Sequence, residues 1–156
     1  MTSDRLAATG VTLRWFTRAV KRRFDEEVQE WEDNPPEDTG IQVQFGARIP
    51  QPDDQARPSI RVRLVLLLEQ PQVSAEVDGA VEFLFAPGQE LPTDQAADFV
   101  REQGIPYLLG IERGVLADMT RSVGLPAVMV PPFLPRGLLD DVDRTLFGAS
   151  EDEPPT

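Results

Sequence analysis

Three stretches in the middle of the chain alternate apolar and polar residues with a period of two. They cover residues 41–49, Ser59–Glu69 and Val73–Phe85, and proline-bearing segments separate them. This alternation is typical of strands that have one buried face and one wet face. The connections are shorter than the crossover that a parallel pair of strands needs. The pattern therefore predicts an antiparallel meander of three strands.

Helical spacing replaces the alternation after the third strand. Thr93 is placed to cap a short helix that Gly104 closes. Pro106 suits the first turn of a longer helix, whose apolar residues recur mostly every three or four positions until Gly124. Residues 125–133 are apolar but contain three prolines, which predicts an extended, non-helical arm.

The N-terminal segment, residues 11–34, supports two interpretations. Leu13, Phe16 and Val20 follow the spacing of an amphipathic helix, and no proline or glycine lies within the segment. An alternation at the start of the segment also fits a strand. The eight acidic residues within 25–38 are interpreted as a solvated loop.

The composition excludes several kinds of chemistry. The 156 residues contain no Cys and no His, which excludes disulfides, thiolate nucleophiles, Cys/His metal sites and histidine acid–base catalysis. No serine lies in a Gly-x-Ser-x-Gly turn, no glycine motif fits a nucleotide, and the acids lack the spacing of a calcium loop. We therefore expect a protein that is not an enzyme and needs no cofactor or metal. The one enzyme class that we still consider is an enzyme that uses only carboxylates for acid–base catalysis.

Length and charge restrict the number of domains, the partners and the compartment that we expect for this chain. One domain is expected over residues 1–148, with a last short helix over 136–147 and a disordered acidic tail over 149–156. The net charge of −12 opposes binding to nucleic acid. The sequence contains neither a signal-peptide pattern nor an apolar run long enough to span a membrane. A soluble, cytoplasmic protein is expected.

More apolar surface is predicted than a small sheet and two helices can cover. Val65, Leu67 and Leu84 point away from the face that their strands bury, and the arm over 125–133 adds to them. Exposed apolar patches usually mark an interface. Two compatible explanations remain, namely self-association and a groove that holds apolar segments of other chains.

The run from Ile105 to Phe133 resembles the SecB export-chaperone family. In that family a long helix opens with a Pro-Tyr step, closes at Gly-aromatic-Pro, and continues into an extended apolar arm with further prolines. Pro106-Tyr107 and Gly124-Leu125-Pro126 resemble these two steps, with Leu125 in place of the aromatic residue. The strands before the helix also stand in the family's order, so the resemblance covers roughly residues 11–135.

The resemblance implies an α+β fold, with a four-stranded antiparallel sheet and two C-terminal helices, assembled as a dimer of dimers. It favours a first strand within residues 11–24, followed by a crossover that carries an aromatic residue. It also implies an ATP-independent chaperone that holds unfolded or partly folded polypeptides. The residues predicted to bind the client are Trp31, Leu125, Val128 and Met129, with Phe83 and Phe85 as weaker candidates.

Two branches of the family differ in the partner that they serve. In export, the Sec motor ATPase docks on acidic residues of the sheet face, for which Glu76 and Asp78 are the candidates here. The family's acidic positions on the first strand are occupied by Ala19 and by basic residues, and such a charge change weakens docking. Members associated with toxin–antitoxin pairs hold one antitoxin instead. The alternative to a general chaperone is therefore a dedicated chaperone or interaction protein of one antitoxin.

Overall fold

A computed structural model describes residues 5–50, 57–134, 136–140 and 142. The acidic tail over 149–156 and half of the last predicted helix, residues 141 and 143–147, lie outside the described residues. In chain order the elements are β1 (Gly10–Arg22), α1 (Asp25–Asp33), β2 (Gly40–Arg48), β3 (Ser59–Gln70), β4 (Val73–Leu84), α2 (Thr93–Phe99), a π-helical segment (Val100–Gly104), α3 (Ile105–Ser122) and α4 (Arg136–Leu139).

The four strands form one antiparallel sheet in the order β1-β4-β3-β2. The predicted α+β class and the predicted meander are therefore confirmed. The N-terminal segment is a strand over Gly10–Arg22, because its backbone pairs with β4 along its length. The register shifts between Trp15 and Thr17, where the sequence alternation changes face. Pairing across the sheet overrides the local helical spacing.

The acidic stretch after β1 is not wholly a loop, which corrects the expectation for residues 25–38. Residues Asp25–Asp33 form helix α1, with three acids in its first turn. Acidic side chains at a helix N-terminus interact favourably with the unsatisfied N–H groups and the helix dipole. Trp31 lies in this helix and is half-buried.

Gly104 does not close a helix, contrary to its predicted role. The chain stays helical from Thr93 to Ser122, with the π-helical segment in the middle. That segment ends two residues before Pro106, whose missing N–H interrupts the regular hydrogen-bond ladder. A Cβ atom at Gly104 would lie 3.1 Å from Cγ2 of Val62, so the glycine permits close packing on the sheet. Thr93 is also not the cap, since Pro92 holds that position.

The core lies between the helices and one face of the sheet, which we call the helix face. The helix face carries the alternating buried residues of β3 and β4, and α3 packs mainly on these two strands. Phe83 makes edge-to-face contacts with Phe99 and Tyr107, at ring distances of 5.0 and 5.6 Å. Phe83 and Phe85 are both buried in this core. Within the described ranges, no helix is long and apolar enough to cross a membrane.

Candidate functional site

Helix α3 ends in a motif that turns the chain back along the helix. The backbone N–H of Gly124 donates to the carbonyl of Arg121, and the N–H of Leu125 donates to the carbonyl of Thr120. Gly124 has a φ of +82°, the left-handed conformation that this Schellman motif requires. The predicted stop at Gly124 is therefore confirmed, and the arm begins immediately after it.

Arg22, at the end of β1, holds this turn from the side. Its Nη1 atom donates to the carbonyl of Val123 at 2.7 Å. The guanidinium carbon lies 4.5 Å from the centre of the Phe24 ring. A Cβ at Gly124 would come within 2.7 Å of the same Nη1 atom. The start of the arm is thus packed against the end of the edge strand.

Two further hydrogen bonds fix the arm against α3. The N–H of Val128 donates to Oγ1 of the buried Thr120 at 3.1 Å, and Nε of Arg113 donates to the carbonyl of Val130 at 2.6 Å. The residue between these two anchors is Met129, whose side chain is 73% exposed. The arm is extended and non-helical as predicted, and its backbone is held in one register.

The arm buries some of its apolar side chains and displays others. Leu125 and Val128 are half-buried and pack against the core, and Val130 is buried. Met129 projects outward, and Phe133 is 80% exposed. Unbranched methionine and large aromatic side chains suit contact with varied apolar segments, because they adapt their shape and bury much area.

Trp31, the fourth residue predicted to bind a client, lies apart from the arm. Its Nε1 donates to Oε2 of Glu69 at 3.3 Å, and Arg23 forms an ion pair with the same carboxylate. Glu69 belongs to the polar row of β3, on the face opposite the helices. The structure therefore separates the predicted site into Trp31 on one side of the sheet and Leu125, Val128 and Met129 on the other.

Two exposed aromatic residues beside or within the arm were not among the predicted site residues. Phe24 is 57% exposed and stacks on Arg22 next to the start of the arm. Phe133, the last residue of the arm, is 80% exposed. The proline pair before Phe133 is the sequence feature that indicates its exposure, since prolines keep this segment extended and prevent a helix.

The face of the sheet opposite the helices, the outer face, carries the predicted docking acids. Asp78 is buried and accepts two hydrogen bonds from Arg63, at 2.9 and 2.6 Å, with the Phe16 ring stacked over the guanidinium. Glu76 lies two residues away and forms no ion pair with any described residue. Both acids line a shallow depression whose lining also includes Val65 and Leu67. Val65 and Leu67 are half-buried, which agrees with their predicted outward direction.

The described residues hold no cluster of acidic side chains that could bind a metal ion.

No known family model matches the chain, and no curated protein sequence matches it. Among solved structures, the chain is similar to the SecB-like chaperone Rv1957 of Mycobacterium tuberculosis, solved with a ChAD peptide from the Rv1956 HigA1 antitoxin. The TM-score is 0.52 at 15% identity, over 83% of this chain and 88% of that one. A protein of unknown function from Streptococcus agalactiae matches with a TM-score of 0.42 and 18% identity, over 80% of this chain and 99% of that one. This chain therefore has a SecB-like fold.

Proposed function

We propose that this protein is an ATP-independent chaperone that holds unfolded or partly folded polypeptides on the arm that follows α3. The observation that carries the proposal is an extended apolar arm whose backbone is fixed while Met129 and Phe133 stay exposed. A fixed backbone presents these side chains with little further loss of conformational entropy. Within a folded monomer such exposure has no packing benefit, which favours a binding role.

Apolar burial alone supplies enough free energy for such holding. Each Å² of apolar surface removed from water contributes about 25 cal/mol, so a few buried side chains give useful affinity without nucleotide chemistry. Leu125 and Val128 supply a half-buried floor beside Met129. Trp31 is a separate candidate contact on the other side of the sheet, for a client long enough to pass around its end.

A dedicated antitoxin chaperone is the narrower version of this function. It is favoured by one observation, the shared fold with a SecB-like chaperone that was solved with an antitoxin-derived peptide. General holding of precursors for export is the other version. For export, we keep Glu76 as the candidate docking acid of the outer face, while both carboxylate oxygens of Asp78 are already engaged by Arg63.

We further propose that the chain self-associates, as a dimer of dimers, through the edge strand β1. Val11 and Leu13 are 44% and 38% exposed on this strand, although they occupy the helix-face positions of the register. An uncovered apolar edge strand is a surface that proteins usually pair or protect. Light scattering after size exclusion tests this proposal, and a strict monomer at micromolar concentration would contradict it.

Aggregation of a chemically denatured client tests the chaperone function. We expect suppression at a near-stoichiometric ratio, equal with and without ATP, and weakened several-fold by Met129→Ser. Phe16→Ser is the matched control, because it removes an exposed apolar side chain from the outer face. Failure to suppress any unrelated client, together with tight binding of one small partner from the native cells, would favour the dedicated interaction protein. Equal suppression by both variants would place the site elsewhere.

A further inference from the structure

Glu112 is an ionisable residue in the apolar interface between α3 and the sheet. It is fully buried, on the same helix face as the buried Leu108 and Leu116. Within the described part of the chain, neither of its carboxyl oxygens has a hydrogen-bond partner. A buried polar group without a partner is costly and rare in folded proteins, so this carboxyl needs a physical explanation.

The carboxyl faces the irregular part of the sheet. The nearby backbone of Gly79, in β4, favours the ionised form of Glu112, but too loosely to count as a hydrogen bond. Gly79 pairs with Trp15 of β1 just before the register shift, and the Trp15 ring lies over it. A Cβ at Gly79 would lie 2.9 Å from Cζ3 of Trp15. Trp15 therefore fits here only because Gly79 has no side chain.

Few charges can reach this interface from the elements packed against α3. The helix-face positions of β3 and β4 are apolar, and on β4 the neighbouring Asp78 points to the outer face, where Arg63 binds it. The charged residues of the π-helical segment pair elsewhere, Arg101 with Asp98 and Glu102 with Arg5.

The edge strand supplies the cations on the helix face. Arg22 is held by the carbonyl of Val123. Arg18 stacks on the Trp15 ring, with its guanidinium carbon 5.1 Å from the ring centre, instead of pairing with an acid among the described residues. On α3 itself, Arg113 is bound to the carbonyl of Val130. Arg18 is therefore the cation available to an ionised Glu112, with Trp15 beside it.

We propose that Glu112 is a proton-controlled latch, which holds α3 and Trp15 closed over Gly79 while the carboxyl is neutral and releases Trp15 when the carboxyl ionises. An unpaired carboxylate is disfavoured in an apolar interior, so ionisation favours any state that admits water or a cation. Displacement of the Trp15 ring would uncover Gly79 and admit water to the carboxylate, and Arg18, which stacks on that ring, lies on the same face of the sheet. Burial, followed by the charge of Asp78, raises the pKa of Glu112 to about 9, which keeps the latch closed at neutral pH.

The emission of Trp15 tests the latch directly. The chain has two Trp and one Tyr, so Trp31→Phe with Tyr107→Phe leaves Trp15 as the only strong emitter. We expect a reversible red shift of emission and several-fold stronger acrylamide quenching, as one protonation step near pH 9, with unchanged far-UV circular dichroism. Glu112→Gln in this background should abolish the step, and Glu76→Gln on the outer face should keep it.

Three results would overturn the proposal. The first is constant emission between pH 7 and 10 in the folded protein. The second is the same step in Glu112→Gln, or in Glu112→Met if the glutamine variant does not fold. The third is loss of far-UV circular dichroism in parallel with the emission change, because the whole domain would then be unfolding.

Discussion

Arg22 and Val123, separated by 101 positions in sequence, are joined by a hydrogen bond of 2.7 Å from Nη1 to the carbonyl oxygen. This contact links the end of the edge strand β1 to the end of α3. The carbonyls of the last helical turn have no partner within the helix, and a guanidinium is a suitable donor for one of them. The start of the arm therefore depends on β1 as well as on α3.

Gly124→Ala should destabilise the protein by about 1–2 kcal/mol, because a Cβ is strained at the left-handed φ of this residue. The new Cβ would also displace Arg22 from the carbonyl of Val123. Urea denaturation measures the effect. Gly114→Ala is the control, since this exposed glycine lies within α3 and a Cβ there meets nothing. The control should be more stable by about 0.5–1 kcal/mol. Equal effects of the two substitutions would contradict the role of Gly124.

Thr120→Val should release the arm without removing apolar volume. The substitution deletes the Oγ1 acceptor of the Val128 N–H and costs about 1 kcal/mol of stability. We expect faster amide exchange at Val128, while exchange in the middle of β3 is changed only through global stability. Thr120→Ser keeps the hydroxyl and should retain the protection of Val128. Protection that is unchanged in Thr120→Val would mean that the arm is held by other contacts.

The free energy of unfolding should fall as pH rises from about 4.5 to about 9, because the pKa of Glu112 is raised in the folded state. Below this window Glu112 is protonated in both states, so it adds no pH dependence to the free energy of unfolding. Within it, only the unfolded state ionises, and stability is lost at up to about 1.4 kcal/mol per pH unit from this residue. Above the window the loss is complete.

Glu112→Gln separates this contribution from those of the other acids. The variant should have a flatter stability curve over the same window and should be more stable than the natural protein at pH 8. Chemical denaturation at closely spaced pH values supplies the comparison. Parallel curves for the two proteins would show that Glu112 has the same pKa in both states.

The sequence predicts the sheet well because alternation and short connections leave few arrangements for residues 41–85. The sequence alone does not decide whether the N-terminal segment is a helix or a strand, since the spacing of Leu13, Phe16 and Val20 is compatible with both. Pairing of β1 with β4 decides it, and that pairing is a contact between distant residues. Gly104 shows the same limit, because a glycine that ends a helix and one that packs on a strand look alike in sequence.

The candidate site was predictable in its chemistry but not in its geometry. The prolines and apolar residues of the arm indicate an extended segment, and the structure places Met129 outward. The separation of Trp31 from the arm depends on which side of the sheet α1 passes, which no local pattern specifies. The sequence also did not predict the burial of Glu112. Apolar residues occur around much of the circumference of α3, so the sequence does not show which side of the helix is buried.

Site-specific photo-crosslinking to a client tests the central claim most directly. A photoreactive amino acid is placed at position 129, or at position 16 as the control, and the purified protein is mixed with a denatured client during dilution from urea. The account predicts strong crosslinking to the client from position 129 and little from position 16, with no dependence on ATP. Crosslinking that is equal at the two positions, or absent from position 129 while the client is still held soluble, would contradict it.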